Sequence, residues 1–230
     1  MAEHQYQQYC GAARALDVVG DRWTLLIVRE LLLGPRRFTD LLDGLPGISR
    51  NLLTERLRAL EHDGVISREE LPPPAARHVY ALTEDGHDLA QAMVPLVAWG
   101  TRRLGARKPN ESFRAHWAAL AMATFADRDA ASGVTETYQY FVGRSAFHFA
   151  VDDGSIALHY GRAAEPAVTL ATDEETWADI ASGQLASSAA AAAGRLTLTG
   201  DPDAVRRLAR ILSRGAVLAT ADGMVKDSRA

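Results

Sequence analysis

Cysteine is almost absent from this sequence: its 230 residues include one, Cys10, so no disulfide can close within the chain. Secreted domains commonly lean on such bridges, and the expected compartment is the reducing cytoplasm. Lysine is nearly as scarce, with only Lys108 and Lys226, so arginine supplies the positive charge. No apolar run reaches the ~18 residues of a membrane-spanning helix. Met1 to Tyr9 is polar and unlike a secretory leader, so no membrane partner is expected. The patterns G-x-G-x-x-G, G-x-S-x-G and the Walker loop are missing, and the seven histidines show no metal-ligand spacing with the single thiol. Asp152-Asp153 reads as part of a hairpin turn rather than as an acid pair. These absences argue against an enzyme and point to no cofactor and no metal centre. The net charge of −4 likewise excludes a general nucleic-acid coat protein.

What is present divides into two parts, since 230 residues exceed the usual single domain of ~100 to 150. The polar, proline-containing stretch 105–111 reads as a linker between residues 1–104 and 112–230. In the first part, Gly34 to Thr83 holds two short helical patterns joined by Gly44, Pro46 and Gly47, followed by two strand patterns around a Pro-rich tip. That order predicts a winged helix-turn-helix. Ser49 is placed to cap the second helix, with Ile48 and Leu53 as a hydrophobic staple. Leu53, Leu57 and Leu60 form its buried stripe and Gly64 its stop. The opposite side then presents Asn51, Thr54, Glu55, Arg58 and His62, with Ser49 and Arg50 near the N-terminal end. Residues 34–83 balance acidic and basic side chains, but 49–58 is net basic, which suits a sequence-specific reader of double-stranded DNA. Asn51, Thr54 and Arg58 are the candidate base readers. Arg36, Arg37, Arg68 and Arg77 are candidate phosphate contacts, with His78 beside the wing tip at Pro72 to Ala76. Each of these side chains could equally be an ordinary solvated surface group.

The runs Cys10 to Leu16, Gly20-Asp21-Arg22-Trp23-Thr24-Leu25-Leu26-Ile27, Leu33 to Phe38, Leu45 to Ser49, Leu53 to Glu61 and Tyr80-Ala81-Leu82-Thr83 resemble the HxlR-type bacterial regulators over about residues 8 to 104. Gly11 departs from the pattern, since many members carry proline after the cysteine. The resemblance implies a dimeric winged-helix transcription factor acting on an operator. It also implies that, of the helices flanking the head, the first and the last pair the subunits. Those helices are read from Ala12 to Val19, from Arg22 to Leu33 with Trp23, Leu26, Ile27 and Leu31 inward, and from Thr83 to about Leu104. The last has Leu89, Met93, Leu96, Val97 and Gly100 as its stripe and Pro95 as a bend. A homodimer would set two reading heads about one DNA turn, ~34 Å, apart on a pseudo-palindromic site. Cys10 is either a redox sensor, as in some of the resembled regulators, or a buried hydrophobe.

In the second part, Ser112 is expected to cap a helix carrying Phe113, Trp117, Leu120, Ala121 and Phe125. Strands follow over Thr135 to Val142, Ser145 to Val151, Ser155 to Tyr160 and Ala167 to Ala171, with Asp153-Gly154 as a hairpin turn. Thr172 and Glu175 form the predicted capping box of a helix ending before Gly183, and Gln184 to Ala193 a second helix. Arg195 to Thr199 reads as the last strand. Asp201, Pro202 and Gly215 bracket the closing helix, with Val205, Leu208 and Leu212 inward. The fold class is therefore α+β. The spacing of Phe149-x-Val151, Val168-x-Leu170, Gly183-x-Leu185 and Gly194-x-Leu196-x-Leu198-x-Gly200-Asp201 is similar to the sterol-carrier-protein family over about residues 112 to 214. That resemblance implies a mixed sheet covered by helices around an apolar cavity, and for a regulator a site for a small hydrophobic effector. Trp117, Phe125, Tyr140, Phe149 and Trp177 are the candidate lining, or else ordinary core. Two readings stay open: a repressor switched by a ligand, and a dimeric DNA-binding protein whose second half is structural or recruits a protein.

Overall fold

The structure, a computed structural model, describes residues 6–70, 78–104, 107, 108 and 110–217. The chain divides into two compact units, Met1–Val94 and Pro95–Ala230. In the first, helices α1 (Gly11–Val19), α2 (Thr24–Leu31), α3 (Phe38–Gly44) and α4 (Arg50–His62) precede a hairpin of β1 (Ile66–Glu70) and β2 (His78–Leu82), and α5 (Glu84–Thr101) begins. Helix α4 forms where its sequence says it should. The Ser49 side chain accepts from the Leu52 amide at 3.2 Å, and Leu53, Leu57 and Leu60 are buried with Ile48 in one core with Ile27, Leu31, Leu41 and Leu45. At its C-terminal end Gly64 takes φ +74, so that its amide and that of Val65 reach back to Glu61 and Leu60. This left-handed turn satisfies the last helical carbonyls and launches β1.

Thr83 then ties α5 to that turn. Its hydroxyl donates to the Gly64 carbonyl at 2.6 Å and accepts from the Gly86 amide at 3.1 Å. A Cβ at Gly86 would meet the Val65 carbonyl at 2.1 Å, so only glycine allows this approach. The backbone of Arg36 adds a two-way bridge to Tyr80 of β2, fixing the α2–α3 connection against the wing.

The second unit is a sheet in the order β5-β4-β3-β6-β7, built from β3 (Thr135–Val142), β4 (Ser145–Asp152), β5 (Ser155–Tyr160), β6 (Val168–Thr172) and β7 (Leu196–Gly200). Only β3 and β6 pair in parallel. Helices α6 (Ala115–Phe125), α7 (Glu174–Ala181) and α9 (Pro202–Val217) lie on one face, with the short α8 (Ser187–Ala192) next to β7. Strand alternation sends Tyr138, Tyr140, Phe147, Phe149, Val168 and Leu170 to the helical side, where all are buried. Arg207 of α9 pairs with Glu136, which also accepts from the Tyr138 hydroxyl at 2.6 Å, clamping the helix to β3.

Several local expectations are corrected. Helix α2 starts at Thr24, and Leu26 faces outward at 39% exposure while Val28 is buried. Leu96 is also exposed, so the inward stripe of α5 ends with Leu89 and Met93. Ser112 caps nothing: α6 begins after Arg114 without a side-chain cap. Asp173, one residue after Thr172, caps α7 by accepting from the Thr176 amide at 2.7 Å. Helix α8 is shorter than the predicted 184–193, and α9 continues through Gly215 to Val217.

Candidate nucleic-acid interface

The outward side of α4 follows from the inward one. With three leucines held in the core, Asn51, Glu55, Arg58 and His62 are exposed and Thr54 is half-buried on the far side. Arg50 begins the helix beside the Phe38 ring of α3, with its guanidinium carbon 5.9 Å from the ring centroid. Thr54 returns its hydroxyl proton to the Arg50 carbonyl at 2.9 Å, which leaves its oxygen to accept and its methyl group to make contact. Asn51 and Arg58 have no hydrogen-bond or ion-pair partner among the described residues. They keep their full donor sets for an external ligand.

Around this face the arginines differ. Arg37 is exposed at the N-terminus of α3, where its amide donates to Asp40 at 3.2 Å. Arg36 is half-buried and held by the backbone bridge to β2. Arg68 on β1 is exposed opposite Tyr80, and His78 is exposed opposite Glu70. Arg77 and the wing tip Pro72 to Ala76 lie outside the described residues. The structure thus brings Ser49, Arg50, Asn51, Thr54 and Arg58 onto one helix, with Arg37 on the helix before it and Arg68 and His78 on the wing hairpin.

Sequence reasoning missed three features that brace this face. Arg56 was counted with the net basic charge, yet it pairs with Asp21 at 2.8 Å and Glu55 at 3.1 Å and so is a strut between α4 and the loop before α2. Trp23 takes φ +84, a left-handed conformation rare for an aromatic residue, and its ring reaches the Gly47 turn ahead of α4. Glu30, almost fully buried, pairs with Arg29 at 2.7 Å and abuts Gly44 of α3. The charge of Asp21 and the Gly-Asp-Arg-Trp run hinted at the first two; nothing marked the third.

Removing the cap tests how firmly the helix is set. Ser49→Ala should destabilise the first unit by about 1 kcal/mol, whereas Ser49→Gly should cost only a few tenths, read from thermal unfolding by circular dichroism.

The remaining candidates separate into two places. Cys10 is exposed at the N-terminus of α1, which corrects its reading as a buried hydrophobe. The Ala13 and Ala12 amides hold its thiol below the usual range. In the second unit, Tyr140, Phe149 and Trp177 are buried together with Phe147. The Tyr140 ring stacks on Phe147 at 5.3 Å and meets Trp177 edge-on at 5.4 Å and Phe149 at 5.2 Å. Trp177 Nε1 donates to the Ala115 carbonyl at 3.0 Å. Trp117 and Phe125 are half-buried on α6, where Trp117 lies edge-on to His116. Tyr140 therefore touches both Phe149 and Trp177, with Phe147 bridging the same two rings, while Trp117 and Phe125 are the half-buried members of the set.

Two family models match the chain, the first running past the end of the first unit into the second. Residues 18–108 match the family model described as HxlR-like helix-turn-helix, and residues 118–213 match the SCP-2 sterol transfer family. An uncharacterized HTH-type transcriptional regulator of Mycobacterium tuberculosis is 48% identical over 91 residues, 40% of this chain and 57% of that protein. The chain thus spans little more than half the length of the mycobacterial relatives it matches. The Bacillus subtilis regulator YvaP, also uncharacterized, is 39% identical across 38% of this chain and 82% of its own length. The reduced form of the B. subtilis transcriptional regulator YodB covers 44% of this chain and 100% of that structure at 31% identity and a TM-score of 0.38. No helix among the described residues is long and apolar enough to cross a membrane. By its first unit, the chain belongs to the HxlR-like helix-turn-helix family.

Proposed function

We propose that this protein is a transcriptional regulator, a repressor, that binds a pseudo-palindromic operator as a homodimer in the cytoplasm. The observation that carries the reading is the outward face of α4, where Asn51, Thr54 and Arg58 stand on a helix locked to the core by three leucines and capped at both ends. Arg37 and Arg68 flank it as phosphate contacts, and Arg36, Arg77 and His78 extend the same role. Dimerisation is supported by large apolar side chains left in solvent on the flanking helices: Leu16 of α1 is 47% exposed, and Leu96 and Trp99 of α5 are 47% and 49% exposed. A two-fold protein calls for a two-fold site.

The test is selection of binding sites from random duplex DNA with the full chain, followed by affinity measurement across a salt series. A two-fold symmetric motif should be enriched, and the logarithm of affinity should fall by ~0.9 per phosphate neutralised as the logarithm of salt rises. Failure to enrich any sequence sinks the regulator reading.

For the second unit the proposed role is an effector domain for a small hydrophobic molecule held by Trp117, Phe125, Tyr140, Phe149 and Trp177. Such a ligand would favour one dimer geometry, and a coupling of about 1–3 kcal/mol changes operator affinity roughly 5- to 150-fold. Cys10, exposed and acidified, is the corresponding position for a redox input. The mutual packing of Tyr140, Phe147, Phe149 and Trp177 favours a second reading, in which this unit is structural or recruits a protein. Titrating a broad hydrophobic library into the operator complex decides between them. A shift of fivefold or more supports the effector role, and none across the library supports the second.

A further inference from the structure

The sheet of the second unit has a face turned away from the aromatic cluster, and two histidines stand opposite each other on it. His148 of β4 and His159 of β5 are register partners in an antiparallel pair. His148 lies between Phe147 and Phe149, which are buried on the helical side, so alternation sends its imidazole to the other. The two ring centroids are 5.3 Å apart, with planes inclined by 32°. Two imidazoles on one tetrahedral zinc, each bound at ~2.0–2.1 Å, place their ring centres about 5 Å apart. Strand spacing alone therefore supplies a chelating separation.

Three further features suit a ligand pair. The neighbours on this face along the two strands are the small Ala146, Ala150 and Ala157, and His159 is exposed and His148 half-buried among them. Gln139, opposite His148 on β3, is committed elsewhere: its amide donates to the Tyr140 and Phe147 carbonyls and accepts from Ala163. His148 Nδ1 lies 3.4 Å from the Gly161 carbonyl. Donation there leaves Nε2 without a proton, the tautomer a metal requires, and a carbonyl in that position is common behind ligating histidines.

We propose that His148 and His159 form a two-histidine site for a borderline divalent ion of the zinc, nickel or copper class, with water completing the coordination. Among the described residues no third histidine, cysteine or carboxylate joins a group that could hold a metal ion, so the site keeps open positions. Magnesium and calcium, which need oxygen ligands, are not expected to bind there. Because β5 is the edge strand, an ion at this point would pin it to β4. The eleven-residue separation of the two histidines is unlike a local metal motif, and only strand register brings them together.

The test is calorimetric titration of the full chain, purified without a histidine tag, with nickel, zinc, copper and magnesium chlorides. One transition-metal ion per chain should bind, with copper tightest in the Irving–Williams order and magnesium silent. His148→Ala and His159→Ala should each weaken binding by about tenfold or more. His159→Gln gives a third, more polar replacement, and circular dichroism without metal checks that each variant is folded. His87→Ala and Cys10→Ser should bind as the parent does. Metal should raise the unfolding temperature of the parent but not of the pair variants. The proposal is overturned if the parent binds none of these metals, if either folded single variant binds like the parent, or if Cys10→Ser removes the site.

Discussion

Trp177→Ala should destabilise the second unit by about 3–5 kcal/mol, enough to unfold much of it at 37 °C, given that whole domains are stable by about 5–15 kcal/mol. The indole is 1% exposed, faces Tyr140 at 5.4 Å and Phe147 at 6.1 Å, and donates to the Ala115 carbonyl that begins α6. Truncation would open a cavity beneath α7 and remove the hydrogen bond that ties it to the start of α6, two losses in the same direction. Trp177→Phe keeps most of the volume and loses the donor, and should fall between parent and alanine. Denaturant unfolding followed by far-ultraviolet circular dichroism reads the effect. The expected curve has one transition moved to lower denaturant and one, from the helix-turn-helix unit, unmoved. The same measurement bears on the effector reading, because a wall of a hollow site gives up few contacts when shortened. A loss below about 1.5 kcal/mol would mean that this ring lines space, and would favour a ligand domain over a packed one.

Much of the first unit was legible because its signals are local and agree with one another. Ser49, the leucine spacing and Gly64 each specify α4 independently, and the structure has all three in place. The hairpin at Asp153-Gly154 was legible for the same reason. Errors arose where two local signals competed. Thr172 and Asp173 can both cap a helix. Thr172 is also the last residue of β6 and bonds the Arg195 carbonyl through its hydroxyl, so pairing claims it and the cap falls to Asp173. In α2 the run Thr-Leu-Leu-Ile-Val is apolar around most of one turn, so periodicity could not choose between Leu26 and Val28.

The candidate sites were legible to different depths. Exposure of the α4 face follows from the burial of its opposite side, so naming Asn51, Thr54 and Arg58 needed only helical geometry. The ion pair that removes Arg56 from the free charge joins residues 35 apart, and no periodicity reports such a contact. In the second unit Tyr140, Phe149 and Trp177 were named from the sequence, and the equally buried Phe147 between them was not. Whether they enclose a void or fill one another's space depends on ring orientations set by three helices at once, which the order of residues does not encode.

Arg58→Ala should weaken binding to the selected operator roughly 5- to 150-fold, about 1–3 kcal/mol, and flatten the preference at one position of each half-site. The reason is geometric. An unpaired guanidinium two turns into an exposed helix can reach the acceptor edge of a guanine, and its fork discriminates among bases. Arg68→Ala removes a charge on the wing and should weaken all sequences alike, lowering the salt slope by about one. Arg56→Ala should do neither: its charge is already held by Asp21 and Glu55, so its loss should appear in the stability of the first unit. Competition binding against a panel of single-base operator variants, at two salt concentrations, separates the three outcomes. If Arg58 and Arg68 gave the same profile, the division between a reading helix and a positioning wing would fail. If Arg56 rather than Arg58 changed base preference, the face of α4 presented to DNA would be rotated from the one its buried leucines define.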